Sequence, residues 1–367
     1  MRTFRYPLQP NQAQCVWLEH CRVACQQLYN GALQERRDAW VKQRVGVDYN
    51  RQTAELTELR AQDESFRDVP VEVQRSALRR LHRAFQAFFR RVKAGEKTGY
   101  PRFRSRDRYQ SFGIGRARID GDRVHVPKLG PVKFRRYREP RGKVLDVQVG
   151  RDADRWWLYV SCDLGAAPEK VPVRNAVGID VGLTAFATLS DGTKVENPRF
   201  FRAGEELLAK RQRALATKRR GSNSRARAKR LVARAHLHVR SQRRDFAWKL
   251  AGELVRRYDL IAHEDLAISR MVHGNLAKSI HDAAWGLFLH ALTCKAEEAG
   301  KWAVPVDPRG TSQRCSACGA VVGKDLSVRV HHCACGCVLD RDHNAARNVV
   351  ALGRSAAAVG PKRKQNC

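Results

Sequence analysis

Acidic residues are scarce in this 367-residue chain: 37 Asp and Glu stand against 70 Lys and Arg, a formal net charge of +33 with a pI near 10.5. Such an excess, spread along the chain, would destabilise a compact fold by self-repulsion unless a polyanion neutralised it, and nucleic acid is the first candidate. Also missing is any apolar run near the roughly 20 residues that a membrane-spanning helix requires. The first ten residues, Met1 to Pro10, lack an apolar core of signal-peptide length, so the expectation is a cytoplasmic protein, nucleoid-associated when on DNA. Its eleven cysteines should then be reduced, which excludes a disulfide scaffold. No self-similar period of solenoid length is present either.

What the chain does have is a dense cysteine cluster near its C-terminal end. Cys315 and Cys318 form a C-x-x-C knuckle, and Cys333, Cys335 and Cys337 follow about fifteen residues later. Two such knuckles can set four thiolates tetrahedrally around one Zn²⁺, as in a zinc ribbon. Cys315, Cys318 and Cys333 supply three of them. The fourth is Cys335, which is followed by the glycine that suits a knuckle turn, or Cys337 in its place. Other cysteines are scattered, and Cys21 and Cys25 lie four apart on one helical face as small apolar fillers.

Along the chain, Met1 to Leu8 reads as a strand, and Asn11 with Gln14 forms a capping box that starts a helix. A second helix is expected from about Val71 to Lys93, with Leu78, Leu81, Phe85, Phe88 and Val92 on its apolar face. Its opposite face carries Arg75, Arg79, Arg83, Arg90 and Arg91, which could track phosphates. Residues 99–106 then interleave aromatics with arginines, including Arg102 and Arg104, a mixture that suits stacking and phosphate contact. From Arg118 to Leu164 the alternation is β, consistent with a small antiparallel barrel or sheet. After Asn175 come two hairpin strands, a basic helical hairpin broken near Gly221–Ser224, a strand at 260–264, an amphipathic helix at 280–300 and a strand at 302–306. A helix is expected over 344–352, and the tail 354–367 is expected to be disordered.

Three acids occupy comparable places: Asp180 and Glu264 at strand ends and Asp342 beside a helix start. Burying an ionised carboxylate is costly unless it is paired or binds metal. Converging carboxylates offer the hard oxygens that Mg²⁺ prefers, with open positions left for phosphate. Two ions held this way would activate a water and stabilise the departing oxygen of a phosphodiester. Asp265 could replace Glu264 as the inward acid.

Three segments carry a resemblance: G-I-D-V-G-L-T at 178–184, A-H-E-D-L-A-I at 262–268, and C-x-x-C…C-x-C-G-x-x-x-D-R-D-x-N-A-A-R-N across 315–348. Together with Y-P-L-x-P-x-x-x-Q at 6–14 and G-Y-P-R-F-R at 99–104, they closely resemble the TnpB proteins of insertion sequences, RNA-guided DNA nucleases related to the type V CRISPR effectors. The resemblance implies an α+β multidomain chain with a RuvC nuclease core of RNase H-like topology at 173–310 and 338–353. It further implies a zinc ribbon inserted at 311–337, a helical recognition module at 11–95, and a wedge-like β-barrel from 1–10 and 96–172. Asp180, Glu264 and Asp342 fall on the catalytic, magnesium-binding acids, and Asp340 on the supporting first acid of D-R-D. Guide RNA from the transposon end, double-stranded target DNA and a monomer bound to its RNA are the expected partners and state. Cleavage beside a short flanking motif is the expected activity. A nuclease-inactive guided repressor and a carboxylate-metal transposase are the alternatives.

Overall fold

In the computed structural model, residues 1–115, 117–271, 273–274, 276–325 and 327–358 are described. The chain separates into two units, Met1–Gly165 and Ala166 onward, and no helix among the described residues is long and apolar enough to cross a membrane.

The first unit begins with β1 (Arg2–Pro7) and α1 (Gln12–Asp38), where the Asn11–Gln14 capping box forms with both reciprocal bonds. The polar stretch after it is not a loop: a π-turn (Ala39–Gln43), α2 (Tyr49–Gln62) and α3 (Glu64–Asp68) lead to α4 (Val71–Lys93). Asp48 and Asp63 cap α2 and α3 with their side chains, which is why weakly amphipathic sequence still holds helices there. Short strands β2 (Ser111–Gly113), β3 (Ile119–Asp120), β4 (Arg123–Val126) and β5 (Gly130–Lys133) precede the long hairpin β6 (Lys143–Asp152) and β7 (Arg155–Asp163). Two antiparallel sheets result, β1-β7-β6-β2 and β3-β4-β5, rather than one continuous ladder. An irregularity between Val144 and Asp146 leaves Leu145 exposed while Val147 and Val149 are buried. Leu18, Cys21 and Cys25 of α1, Leu78 and Leu81 of α4, and the inward strand residues share one core.

The second unit is built on a five-stranded sheet. Its strands are β8 (Ala176–Val181), β9 (Ala185–Leu189), β10 (Lys194–Glu196), β11 (Leu260–Glu264) and β12 (Trp302–Val306), in the order β10-β9-β8-β11-β12. The first three are antiparallel neighbours, whereas β11 runs parallel to both β8 and β12. The basic stretch forms a helical hairpin, α5 (Phe200–Ala216) and α6 (Asn223–Arg257), the latter capped by Ser222. A short α7 (Ile268–Met271) follows β11. The helix expected over 280–300 is two helices, α8 (Ala277–Ala283) and α9 (Trp285–Glu298), because Ala284 takes a left-handed conformation (φ 55°) between them. The ribbon hairpin β13 (Val330–His332) and β14 (Val338–Asp340) runs directly into α10 (Arg341–Ala358). Residues 354–358, expected to be disordered, therefore continue this helix; the rest of that tail, 359–367, lies outside the described residues.

Period-two alternation assigns the sheet its two faces. Val177, Ile179 and Ile261 pack with Ala247, Leu250, Phe288 and Leu292 of α6 and α9, while Leu260 and Ala262 pack with Val349 of α10. Glycine makes the second contact possible. A Cβ on Gly178 would stand 2.0 Å from the carbonyl oxygen of Ala346 and 2.6 Å from the backbone nitrogen of Val350, and one on Gly353 would stand 2.4 Å from the Cβ of Ala262. Helix α10 thus lies on the sheet nearly backbone to backbone.

Gly178→Ala is expected to lower stability by about 2–3 kcal/mol or more, since backbone atoms cannot step aside. Gly31→Ala, in open space on α1, should be neutral or gain up to about 1 kcal/mol. Thermal melts of the two variants check the contrast.

Candidate nuclease site and metal ribbon

The same alternation that buries Gly178 under α10 turns Asp180 to that face, and on the neighbouring strand it turns Glu264 there with Leu260 and Ala262. The parallel register pairs Ile179 with His263, so the next step sets Asp180 and Glu264 side by side at the C-terminal ends of adjacent strands. Asp342 arrives from the first turn of α10, where a carboxylate also favours the helix dipole. Asp340 caps this helix: its Oδ1 accepts from the backbone N–H of Asp342 at 2.9 Å and of His343 at 3.2 Å, and Lys194 holds its Oδ2 at 2.8 Å. Asp265 is exposed, whereas Glu264 is half-buried and takes a hydrogen bond from Thr311, so Glu264 is the inward acid of the pair.

Asp180 and Glu264 both stand in the field of neighbouring carboxylates. Burial, then the charges of Glu264 and Asp342, push the Asp180 carboxyl up to about 8, with Arg341 opposing them. Glu264 is raised by burial and by Asp342, while a hydrogen bond from Thr311 Oγ1 to its Oε1 at 2.6 Å pulls the other way. Asp180 and Glu264 are hard oxygen donors of the kind a divalent cation takes, but among the described residues they and Asp342 do not gather within the 4.8 Å that unites the cysteine sulfurs.

The ribbon is pegged to this site by residues that the sequence reading left without roles. Asn344 and Asn348, one turn apart on α10, are both buried. Asn344 donates to the Arg314 carbonyl at 2.8 Å and accepts from Ser316 N–H at 2.9 Å; Asn348 donates to the carbonyls of Thr311 and Arg314 at 2.8 and 2.7 Å. Arg341 donates to the carbonyl of Asp325 at 2.8 Å. The i, i+4 repeat of asparagine in N-A-A-R-N was the available signal, because buried amides on one helix face must find partners.

At the knuckles, Cys315, Cys318, Cys333 and Cys335 place their sulfurs within 4.8 Å of one another. The Cys315–Cys335 and Cys318–Cys333 pairs are 3.7 and 3.6 Å apart, close to the ~3.8 Å edge of a tetrahedron with Zn–S bonds of about 2.3 Å. The N–H groups of Cys318 and Ala317 hold the Cys315 thiol down to about 5, so it is ready as a thiolate. Four sulfurs in this arrangement fit zinc, and they include Cys335. Cys337 belongs to a different set, with Cys315 and His331.

The expected nucleic-acid contacts lie in the first unit. Arg83, Arg102 and Arg104 are exposed. Arg79 shares Glu72 with Arg75, at 3.7 and 2.9 Å, which spends part of that arginine stripe on an ion pair. The backbone of Arg104 is fixed by Gln26 and Asn30 of α1, and Arg102 lines a small groove with Leu33, Arg37, Tyr100 and Phe103.

Comparison with known proteins agrees across the chain. Residues 148–274 match a family model described as a probable transposase of the OrfB, IS605 type, and residues 285–349 match one for the Cas12f1-like TNB domain. A Streptomyces pristinaespiralis protein named as an RNA-guided DNA endonuclease is 36% identical over 98% of this chain and 91% of its own length. The Escherichia coli K12 protein InsQ, named likewise, is 28% identical over 98% and 94%. Among solved structures, a Cas12f1 chain determined by cryo-EM with sgRNA and target DNA matches with a TM-score of 0.61, over 93% of this chain and 83% of that one, at 14% identity. That likeness concerns the mixed α+β fold.

With chelator present, Asp180→Asn is expected to stabilise the chain in a pH-dependent way. A carboxyl at 3.8 when unfolded and about 8 when folded opposes folding when ionised. The cost is absent below pH ~4, grows between the two values and is complete above them. The variant should therefore match the parent melt near pH ~4 and exceed it by several degrees above pH ~8, measured by calorimetry.

Proposed function

Because this chain belongs to the TnpB family of insertion-sequence proteins, we propose that it is an RNA-guided DNA endonuclease with a RuvC-type site made of Asp180, Glu264 and Asp342. One observation carries the reading: three acids from separate segments, two strand ends and a helix start, converge on the α10 face of the sheet, where the charges of Glu264 and Asp342 help burial to raise the Asp180 carboxyl. The strand order, with three antiparallel strands followed by two parallel ones, is consistent with an RNase H-like core. We assign 173–310 and 338–353 to that core, 311–337 to the ribbon, 11–95 to recognition, and 1–10 with 96–172 to the wedge.

Asp180, Glu264 and Asp342 would hold divalent magnesium, which, when bound, supplies an activated water and charge stabilisation for a phosphodiester. The chain's own contribution is placement. Adjacent strand ends fix Asp180 and Glu264, Thr311 orients the Glu264 carboxylate, and the Asp340 cap sets the helical turn that presents Asp342. Arg341 lies close enough to offset part of the negative field on Asp180. Cys315, Cys318, Cys333 and Cys335 would hold the structural zinc.

The charge of +33 suits a protein that must bind both an RNA scaffold and an RNA–DNA heteroduplex through their backbones. Base pairing then selects the target, and the first unit, with Arg83, Arg102 and Arg104 exposed, meets phosphate and bases. A transposase that joined strands itself would not call for guide-dependent target choice, and a repressor would not require all three acids.

The test uses the chain co-purified with RNA from its own locus, Mg²⁺, and plasmids carrying the guide-matched sequence beside a randomised flank. Cutting should require both the match and a particular flank, and Asp180→Ala should reduce it by at least about 10³-fold. Guide-dependent binding without cutting would instead identify a repressor, and the absence of a discrete RNA would remove the guided mechanism.

A further inference from the structure

Cys337 and His331 are not used by the tetrathiolate set, yet the hairpin turns both toward it. The strands pair His332 with Val338 and His331 with Leu339, and the turn beyond is closed by Cys333 N–H donating to the Cys337 carbonyl at 3.0 Å. By two-residue alternation, His331 and Cys333 share one face of β13 and its extension, opposite Leu339 and Cys337. That face meets Cys315.

The resulting trio has the marks of a ligand set. Cys315 Sγ, Cys337 Sγ and a ring nitrogen of His331 lie within 4.8 Å of one another. His331 has no solvent exposure, and Cys315 is 1% exposed. Lys324 Nζ contacts His331 Nδ1, while the buried imidazole also interacts with the Cys315 sulfur and its Nε2 has no oxygen or nitrogen partner. Imidazole with two thiolates is a common donor set for zinc and other soft or borderline cations.

We propose that Cys315, His331 and Cys337 form a second metal position for a thiophilic divalent ion, sharing the Cys315 sulfur with the tetrathiolate zinc. A thiolate has lone pairs for two ions, and Cys315 sits where the two sets meet. Charge favours the arrangement: four thiolates around one divalent ion leave two uncompensated negative charges, whereas a fifth thiolate with a second ion leaves one. The second ion has three protein donors, so a water completes its tetrahedron. It joins the ribbon's hairpin strands to the first knuckle at a further point and makes the ribbon stiffer than a single-ion one. The inference rests on the zinc reading of Cys315, Cys318, Cys333 and Cys335.

The test is a Co²⁺ titration of the full chain with its bound RNA, after removal of zinc, read by the visible bands of tetrahedral thiolate-bound cobalt. Cobalt on RNA phosphate lacks these bands. The parent should saturate at two equivalents, the first with a tetrathiolate spectrum and the second with a mixed nitrogen–sulfur spectrum. Cys337→Ser and His331→Asn should each saturate at one and keep the tetrathiolate spectrum. Saturation of the parent at one equivalent overturns the second position, even if Cys337→Ser weakens that single ion. No thiolate–cobalt band at all overturns the zinc reading beneath it, and the two failures are thereby distinguished. Because Cys337→Ser changes one atom at a half-buried site, it keeps the test sharp should His331→Asn fail to fold.

Discussion

The close approach of α10 to the central sheet is the constraint on which the second unit depends. A helix normally rests on a sheet through a layer of side chains, at about 10 Å. Here Gly178 removes that layer at β8, and Gly353 removes it again over Ala262 of β11. The helix start therefore comes down to the ends of the two strands, and a short carboxylate such as Asp342 is near enough to act on Asp180 and Glu264. With a side chain at 178 the helix would have to lift, and three acids would become two and one. The G-I-D stretch is thus two requirements in three residues: a missing side chain where the helix crosses, and, one alternation later, an acid on the same face.

That placement is held from the other side by the ribbon. Asn344 and Asn348 bind the chain around Arg314, Thr311 reaches Glu264, and Arg341 extends to the loop carbonyls at 325 and 328. The cysteine knuckles and the proposed nuclease acids therefore share one set of supports. Loss of order at the first knuckle would free Thr311 and Asn344 together, which gives a structural metal influence over a site to which it contributes no ligand. The positive charge of the chain has a local counterpart here, since Arg341 offsets part of the field that Glu264, Asp342 and Asp340 set at Asp180.

Much of this was legible in the sequence because it rests on short-range rules. The Asn11 capping box, the limits of α4 and of β12, and the break of the basic hairpin near Gly221 follow from caps, periodicity and turn residues, and the structure has them at those places. The strands carrying Asp180 and Glu264 were legible too, as apolar runs that close on an acid. The misses have equally physical causes. Helices α2 and α3 lack a strong apolar stripe and depend on aspartate caps and on burial of Leu56. The division between α8 and α9 turns on the left-handed backbone of Ala284, a conformation for which alanine gives no warning. The extra turn of α10 ends in Ala356, Ala357 and Ala358, strong helix formers, of which Ala357 packs against the sheet.

Between Cys333 and Asp342 the chain passes from soft donors to hard ones within ten residues. Thiolates and imidazole prefer zinc-like ions, carboxylates prefer magnesium, and each set would compete for the other's ion if the two could mix. The strand β14 prevents mixing by geometry. Its pairing with β13 turns Cys337 toward Cys315, and its end hands Asp340 to the helix cap, which accepts two backbone N–H groups and Lys194 and so leaves that carboxylate little capacity for a metal. Arg341 follows, with its guanidinium among the ribbon carbonyls and its charge felt at Asp180. Only then does Asp342 turn to the sheet. The order cysteine, strand, capping acid, arginine, acid is therefore a spacer: it keeps soft and hard donors apart on one short segment.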